Sequence, residues 1–453
     1  MRHQHVLTNV LTNVLTLLAS AALVLPVAAQ SPGAPATLAL VGGRVIDGYG
    51  GRPIENGVLL IEGERIIAVG PAGSVPIPPG AQRISTEGMT VLPGIIDMHV
   101  HLMLIGHGDY ERWNALYEKR VAREVMPIAA RQLLMAGVTS ARDLGAVPEE
   151  ILDVKRRIAA GEIPGPRLFV AGAFIQRAPY LPYEAKFRWG VNGAEDARTK
   201  VQRLITMGVD VIKLIDQDQL TDAEVAAIVE TAHKAGKPVV AHAHRVAEIR
   251  MGLKHGVDDF EHTGLGTSPG YPEDVLALLR ERNNSLYWTP TISPLFLMKH
   301  SADFPERLDD PRWYEGVPEE MAREIRASLA NVPALPYYAL VPSRIPAAPT
   351  KFRQLRETGV RLLIGTDAGI PTMFHGDATW REMVTWADLG VPAMEILQAA
   401  TIWPARALRQ EANLGVLAPG RLADVIAVRG DPLSDMRAMR DVMVVVKGGR
   451  RVK

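Results

Sequence analysis

The chain has 453 residues, with 50 Lys+Arg against 50 Asp+Glu, 12 His, 47% hydrophobic residues and no cysteine. This length allows two or three domain-sized units, or one large α/β barrel with an accessory domain, and it excludes a chain too short to bury a sizeable core. A formal charge of zero gives no electrostatic reason to expect nucleic acid or an anionic membrane as partner, and the lack of cysteine excludes disulfides, a thiolate nucleophile and iron–sulfur clusters, so any metal must rest on nitrogen and oxygen ligands.

In chain order, Arg2 is the only formal charge before an apolar stretch from Leu15 to Leu25, which Pro26 and Val27-Ala28-Ala29 close. That pattern predicts a signal peptide over 1–29, cleaved near Ala29, and an exported protein, periplasmic or secreted. The stretch is too short to span a bilayer comfortably, so no stable membrane anchor is expected. After a Ser/Pro/Ala-rich spacer come LALVGGRVID, GVLLIEGERIIAVG and QRISTEGMTVLPG, apolar runs broken by turn residues that predict a small antiparallel sheet. The same texture returns in LGVLAPGRLADVIAVRGDP and VMVVVKGGRRV. One β-sandwich built from 37–93 and 414–453 is therefore expected.

Between them, 94–413 alternates short apolar strands with helical patterns. The predicted strands are 95–100, 138–143, 167–172, 210–215, 238–243, 258–263, 286–291 and 361–366. Eight such units fit an α/β fold of the (β/α)8 TIM-barrel type, with its active site at the carboxyl ends of the strands. A doubly wound open sheet is the alternative, weakened by the missing Gly-rich phosphate loop. The long stretch 293–350, rich in Pro and aromatics, predicts a helical lid or an oligomer contact over the strand ends, and a homo-oligomer is expected.

Chemistry-bearing residues collect at those strand ends. His99 and His101, two apart, point to one side of a strand and suit a divalent transition metal, although an isolated HxH pair is a weak signal. His242 and His244 repeat the spacing and His262 follows, so five of twelve histidines fall at the ends of three strands. Lys213 is flanked by Val211, Ile212, Leu214 and Ile215; a lysine there is either ion-paired at the strand mouth or a desolvated amine able to add CO2 and bridge two cations as a carbamate. Asp367, in LLIGTDAG, can bind metal and accept a proton, or serve as an N-cap. Asp143 is expected to be structural. No nucleotide-binding loop is present.

The ordered set LPGIIDMHVHL, the lysine of DVIKL, VVAHAHR, DDFEHTGL, LLIGTDAG and LGVLAPGRLADVIAV resembles the metal-dependent amidohydrolase superfamily, and within it the imidazolonepropionase-like group that includes Xaa-Pro dipeptidases and ochratoxin-type amidases. The resemblance implies a distorted barrel with a β-sandwich from both ends and a metal site of one or two divalent ions, commonly zinc. It implies His99, His101, His242, His262 and Asp367 as ligands and Lys213 as a carboxylated bridge. It also implies His244 as a contact to the substrate carbonyl, and Asp367 as the acceptor of a proton from water and its donor to the leaving nitrogen.

The activity implied is hydrolysis of an amide, of an N-acyl amino acid or Xaa-Pro-type dipeptide. Rival readings are a cyclic amide, lactone or carbamate ester as substrate, or a barrel scaffold without catalysis. A substrate carboxylate would need a cation, for which Arg142, Arg177 and Arg245 stand near strand ends. Tyr180, Tyr183, Trp288 and Phe374 are candidates for an apolar pocket, and His107 and His375 are further candidates. The chain departs from the dipeptidase pattern after Lys213, reading IDQDQLTDAE where many members carry a glycine-rich loop like ATGG.

Overall fold

The computed structural model describes residues 37–264 and 267–453; the expected signal segment, 1–29, lies outside the described residues. Strands from both chain ends form two facing sheets. One runs in the order Arg65–Pro71, Gly57–Glu62, Thr37–Val41, Gln82–Ser85, and the other Arg450–Arg451, Val442–Lys447, Val425–Arg429, Met89–Pro93, Arg44–Val45. Alternate residues point inward, so Leu38, Leu40, Leu59, Ile61 and Ile84 share one core with Val91, Val425, Ala427, Val444 and Val446. The sheets are mixed, not antiparallel as the sequence pattern predicts. Thr37–Val41 pairs with Gln82–Ser85 in parallel, as Arg44–Val45 does with Met89–Pro93. The proline-rich connector 72–81 carries the chain back before it re-enters the first sheet.

The middle of the chain has a TIM-barrel-like α/β fold. All eight predicted strands are present, two of them (Ile95–Val100 and Val138–Asp143) at the predicted length and six shortened, and Phe174–Gln176 and Arg188–Gly190 are added. They do not form one continuous ladder. Ile95–Val100, Val138–Asp143 and Arg167–Val170 make a three-stranded parallel sheet, and the others a parallel seven-stranded sheet from Arg188–Gly190 to Arg361–Leu362. One break lies at 171–173, where Gly172 adopts φ 66° and turns the chain out of the extended region; the other follows Leu362. Main-chain hydrogen bonds cross both breaks: the Asp210 N–H donates to Val170 O at 2.8 Å and the Met98 N–H to Ile364 O at 3.0 Å.

The connecting helices are amphipathic and locally well specified. Pro148–Ala159 opens with Pro in its first turn and Glu149 and Glu150 near its positive end, closes with Arg156 and Arg157, and buries Ile151, Val154 and Ile158 on one stripe. Asp222–Lys234 is entered through a capping box of Thr221 and Glu224. The segment 293–350 is helical, with Ser293–Asp303, Glu319–Ser328 and Val341–Arg344 joined by short turns. At the last barrel strand, a Cβ on Gly365 would lie 2.3 Å from Thr289 Cγ2 and 2.9 Å from the His99 nitrogen. Only glycine lets this segment approach His99 closely enough to present Asp367 beside it.

Candidate active site

Five imidazoles from three strand ends meet in one cluster. His99 and His101 leave the end of Ile95–Val100, His242 and His244 the end of Val239–His242, and His262 follows Asp259–Glu261. Ring centroids lie 4.9 Å apart for His99 and His262, 4.8 Å for His242 and His262, and 4.5 Å for the stacked pair His244 and His262. Asp367 closes the group, its Oδ1 3.2 Å from His101 Nε2 and 3.4 Å from His99 Nε2, its Oδ2 3.9 Å from His262 Nδ1. The strand-end backbone is strained where it delivers two of these groups: His262 has φ 77° and Asp367 φ 57°, left-handed values that non-glycine residues seldom adopt outside sites that need them.

The electrostatics suit cation ligation. Burial, reinforced by the Lys213 charge, pushes His242 well below the ordinary imidazole range and His244 down to about 3; burial also outweighs the Asp367 charge at His99. His99, His242 and His244 are therefore neutral at physiological pH, as metal ligands must be. At Asp367 burial favours the neutral acid, but the electrostatic attraction of the adjacent His99 ring and the hydrogen bond from His101 override it and hold the carboxyl below its usual range. Lys213 is fully buried, its Nζ has no hydrogen-bond partner, and burial pushes its ammonium down to about 8.

These residues fit a divalent metal. Ligand atoms of His99, His101 and Asp367 form one group within 4.8 Å of one another, and those of His242, His244 and His262 form a second. His99 Nε2 and His244 Nδ1, like Lys213 Nζ, are buried polar atoms without a hydrogen-bond partner, an arrangement costly unless a ligand completes it.

Glu261, absent from the sequence-level candidates, orients this centre. It accepts a hydrogen bond from His99 Nδ1 at 2.7 Å and from Arg142 Nη2 at 2.7 Å. A carboxylate on the far ring nitrogen fixes the tautomer that leaves Nε2 for a metal. Its signal was the acid just before His262, in the strand Asp259–Glu261. Glu261→Gln is expected to weaken metal retention about 10- to 100-fold and to lower Tm, because Arg142 keeps only Asp259 as a charged partner. Metal titration and thermal unfolding check this; unchanged metal affinity would rule the orienting role out.

The structure corrects the substrate contacts expected from sequence. Arg142 does not reach the cavity: it is buried under the site, its Nε donating 2.7 Å to Met98 O and its Nη2 to Asp259 at 2.6 Å and to Glu261. Arg177 pairs with Glu224, and Arg245 with Asp216, Asp218 and Glu248, so neither has a free charge for a ligand. Tyr180 lies at the surface with its hydroxyl on Asp216 and is outside the cavity wall, whereas Tyr183 is part of it. Trp288 is core, donating to His262 O at 2.6 Å, and Phe374 stacks on Trp313. His107 packs on Trp113, and His375 reaches the His101 carbonyl. Asp143 is structural, accepting from the Leu102 and Gly145 N–H groups.

A cavity of ≈ 140 Å³ opens above the cluster, walled by Met103, Trp113, Phe174, Phe187, Arg188 and Tyr337 and floored by His101, His242, His244, His262 and Asp367. The apolar wall over a polar floor is the usual build of a small-molecule site.

Residues 90–452 match the family model described as "Amidohydrolase family". The chain is 26% identical to the ochratoxinase of Aspergillus niger over 450 residues, 89% of this chain and 84% of that protein. Among solved structures it is similar to a Xaa-Pro dipeptidase with bound methionine in the active site, with a TM-score of 0.72, 26% identity and coverage of 92% of this chain and 100% of that one. Phenylurea hydrolase B shares the fold at a TM-score of 0.74 and 22% identity, over 92% of this chain and 97% of that one.

Proposed function

The chain belongs to the amidohydrolase family and is a hydrolytic enzyme acting on carbon–nitrogen bonds; we propose that it is a metal-dependent amidase whose substrate is an N-acyl amino acid or a dipeptide of the Xaa-Pro type. The observation that carries the proposal is the two ligand groups together with the buried amine of Lys213, which has no hydrogen-bond partner. The similarity to an ochratoxinase and to a Xaa-Pro dipeptidase supports the substrate class.

His99, His101, His242, His262 and Asp367 would hold one or two divalent ions, zinc by its affinity for imidazole, with Lys213 as a carbamate between them. Bound there, a divalent cation supplies Lewis acidity towards a carbonyl and acidifies water. In the hydrolysis, water adds to the amide carbon, the C–N bond breaks, and a carboxylate and an amine result. Asp367 takes the proton from the attacking water and passes it to the leaving nitrogen. His244 donates to the oxygen on which negative charge develops. The apolar wall keeps bulk water from these charges and strengthens them.

A panel of N-acyl amino acids, Xaa-Pro dipeptides, cyclic amides and lactones on the metal-reconstituted protein, with a chelated control, tests the reading. Hydrolysis of the first two classes that chelation abolishes is expected. Undiminished turnover after chelation, or less than about one metal per chain after metal-supplemented expression, would overturn it. We further propose export after cleavage near Ala29, supported by the composition of 1–29; a mature protein from the native host whose N-terminus is still Met1 would refute it.

A further inference from the structure

The cavity above the metal ligands continues into a second, smaller one of ≈ 40 Å³, and the two share His244, His262, Tyr337, Asp367 and Ile370. The centre therefore stands at a junction of two arms. The larger arm is walled by Met103, Trp113, Phe174 and Phe187. The smaller ends at Arg344, at the end of the helix Val341–Arg344 in the segment 293–350.

Arg344 is only 7% exposed, and its Nε is buried without a hydrogen-bond partner. No carboxylate among the described residues pairs with its guanidinium; the one neighbour that favours its charge is the Tyr337 hydroxyl. A buried guanidinium without a counter-charge is costly, and here it faces an open cavity beside the reacting groups. The other arginine on the cavity wall, Arg188, is already committed: it donates to Gln176 Oε1 at 3.1 Å, pairs with Glu184 at 3.2 Å and lies over the Phe174 ring.

We infer that Arg344 is the receptor for a carboxylate on the substrate, placed on one side of the scissile amide while an apolar group fills the larger arm on the other. The inference rests on the amidase reading and narrows it: the enzyme selects amides that carry a carboxylate close to the scissile bond and disfavours neutral amides of the same shape. A planar fork of donors suits a carboxylate at this point better than a lysine would.

The test uses the metal-loaded protein and two probes, N-benzoyl-L-leucine and N-isopentylbenzamide, which differ only in the carboxylate. The wild type is expected to prefer the acid in kcat/KM by roughly 10- to 100-fold, Arg344→Met to bring that ratio near unity, and Arg344→Lys to keep part of it. Because the readout is a ratio within each variant, a partial loss of fold or metal does not imitate the effect. Calorimetric affinities for the two probes supply the same ratio without turnover. If neither probe is hydrolysed but the binding preference depends on Arg344, the amidase reading fails and the receptor stands. If the wild type shows no preference, or Arg344→Met and Arg344→Gln keep it, the receptor assignment is overturned while hydrolysis stands.

Discussion

The Asp367→Asn protein is expected to turn over its amide substrate about 10²- to 10⁴-fold more slowly than the wild type, the usual worth of a positioned acid–base group. Asparagine is the informative replacement for a backbone reason. Asp367 has φ 57°, and asparagine tolerates the left-handed region nearly as well as aspartate, whereas a larger or branched residue would add strain. The amide side chain keeps the shape and an oxygen towards His101 and His99 but cannot accept the proton of water. Folding and most of the imidazole ligand set should therefore persist while kcat falls and KM changes little. Steady-state kinetics with metal analysis on the same sample decide it: full turnover with metal content intact removes Asp367 from the proton transfer.

A second large effect is expected at Lys213, and it has opposite signs for function and for folding. Lys213→Met removes the group proposed to bridge the ions, so turnover should fall by about 10³-fold or more with a loss of bound metal. The metal-free variant should nevertheless be more stable than the metal-free wild type, because methionine fills the same space without a buried ammonium. The lysine is held near 8 in the folded chain against an ordinary 10.5, which corresponds to about 3 kcal/mol at neutral pH. The unfolded chain binds the extra proton between those two values, so stability of the metal-free wild type should rise with pH from about 8 to 10.5. Denaturant titrations of both metal-free proteins across that range check it. An equal slope in Lys213→Met, or a variant that keeps its metal and activity, would contradict the assignment.

The centre was legible because its residues obey local rules. HxH spacing on a strand sends both rings to one side, and a lysine inside an apolar run is conspicuous wherever the run folds. His99, His101, Lys213, His242, His244, His262 and Asp367 could be picked out one strand end at a time. The substrate contacts obey no such rule. Arg142, Arg177 and Arg245 are indistinguishable in sequence from ligand-binding arginines, but each folds against carboxylates, Asp259 and Glu261, Glu224, and Asp216 with Asp218 and Glu248. Arg344, in a proline-rich stretch without periodicity, gave no signal.

Alternation, turn chemistry and strand–helix spacing determined which segments become strands, which become helices, and which side chains face the barrel mouth, because these follow from the pleat and the helical repeat alone. Only the tertiary structure decided which charges are cancelled. The pairings of Arg142 with Glu261, separated by 119 positions, and of His99 with Glu261, separated by 162, depend on how distant strands register. So does the lack, among the described residues, of a carboxylate paired with Arg344. Whether a buried charge is partnered is a property of the assembled fold, and in this protein it is what separates Arg142, Arg177, Arg188 and Arg245, each held by a carboxylate, from Arg344.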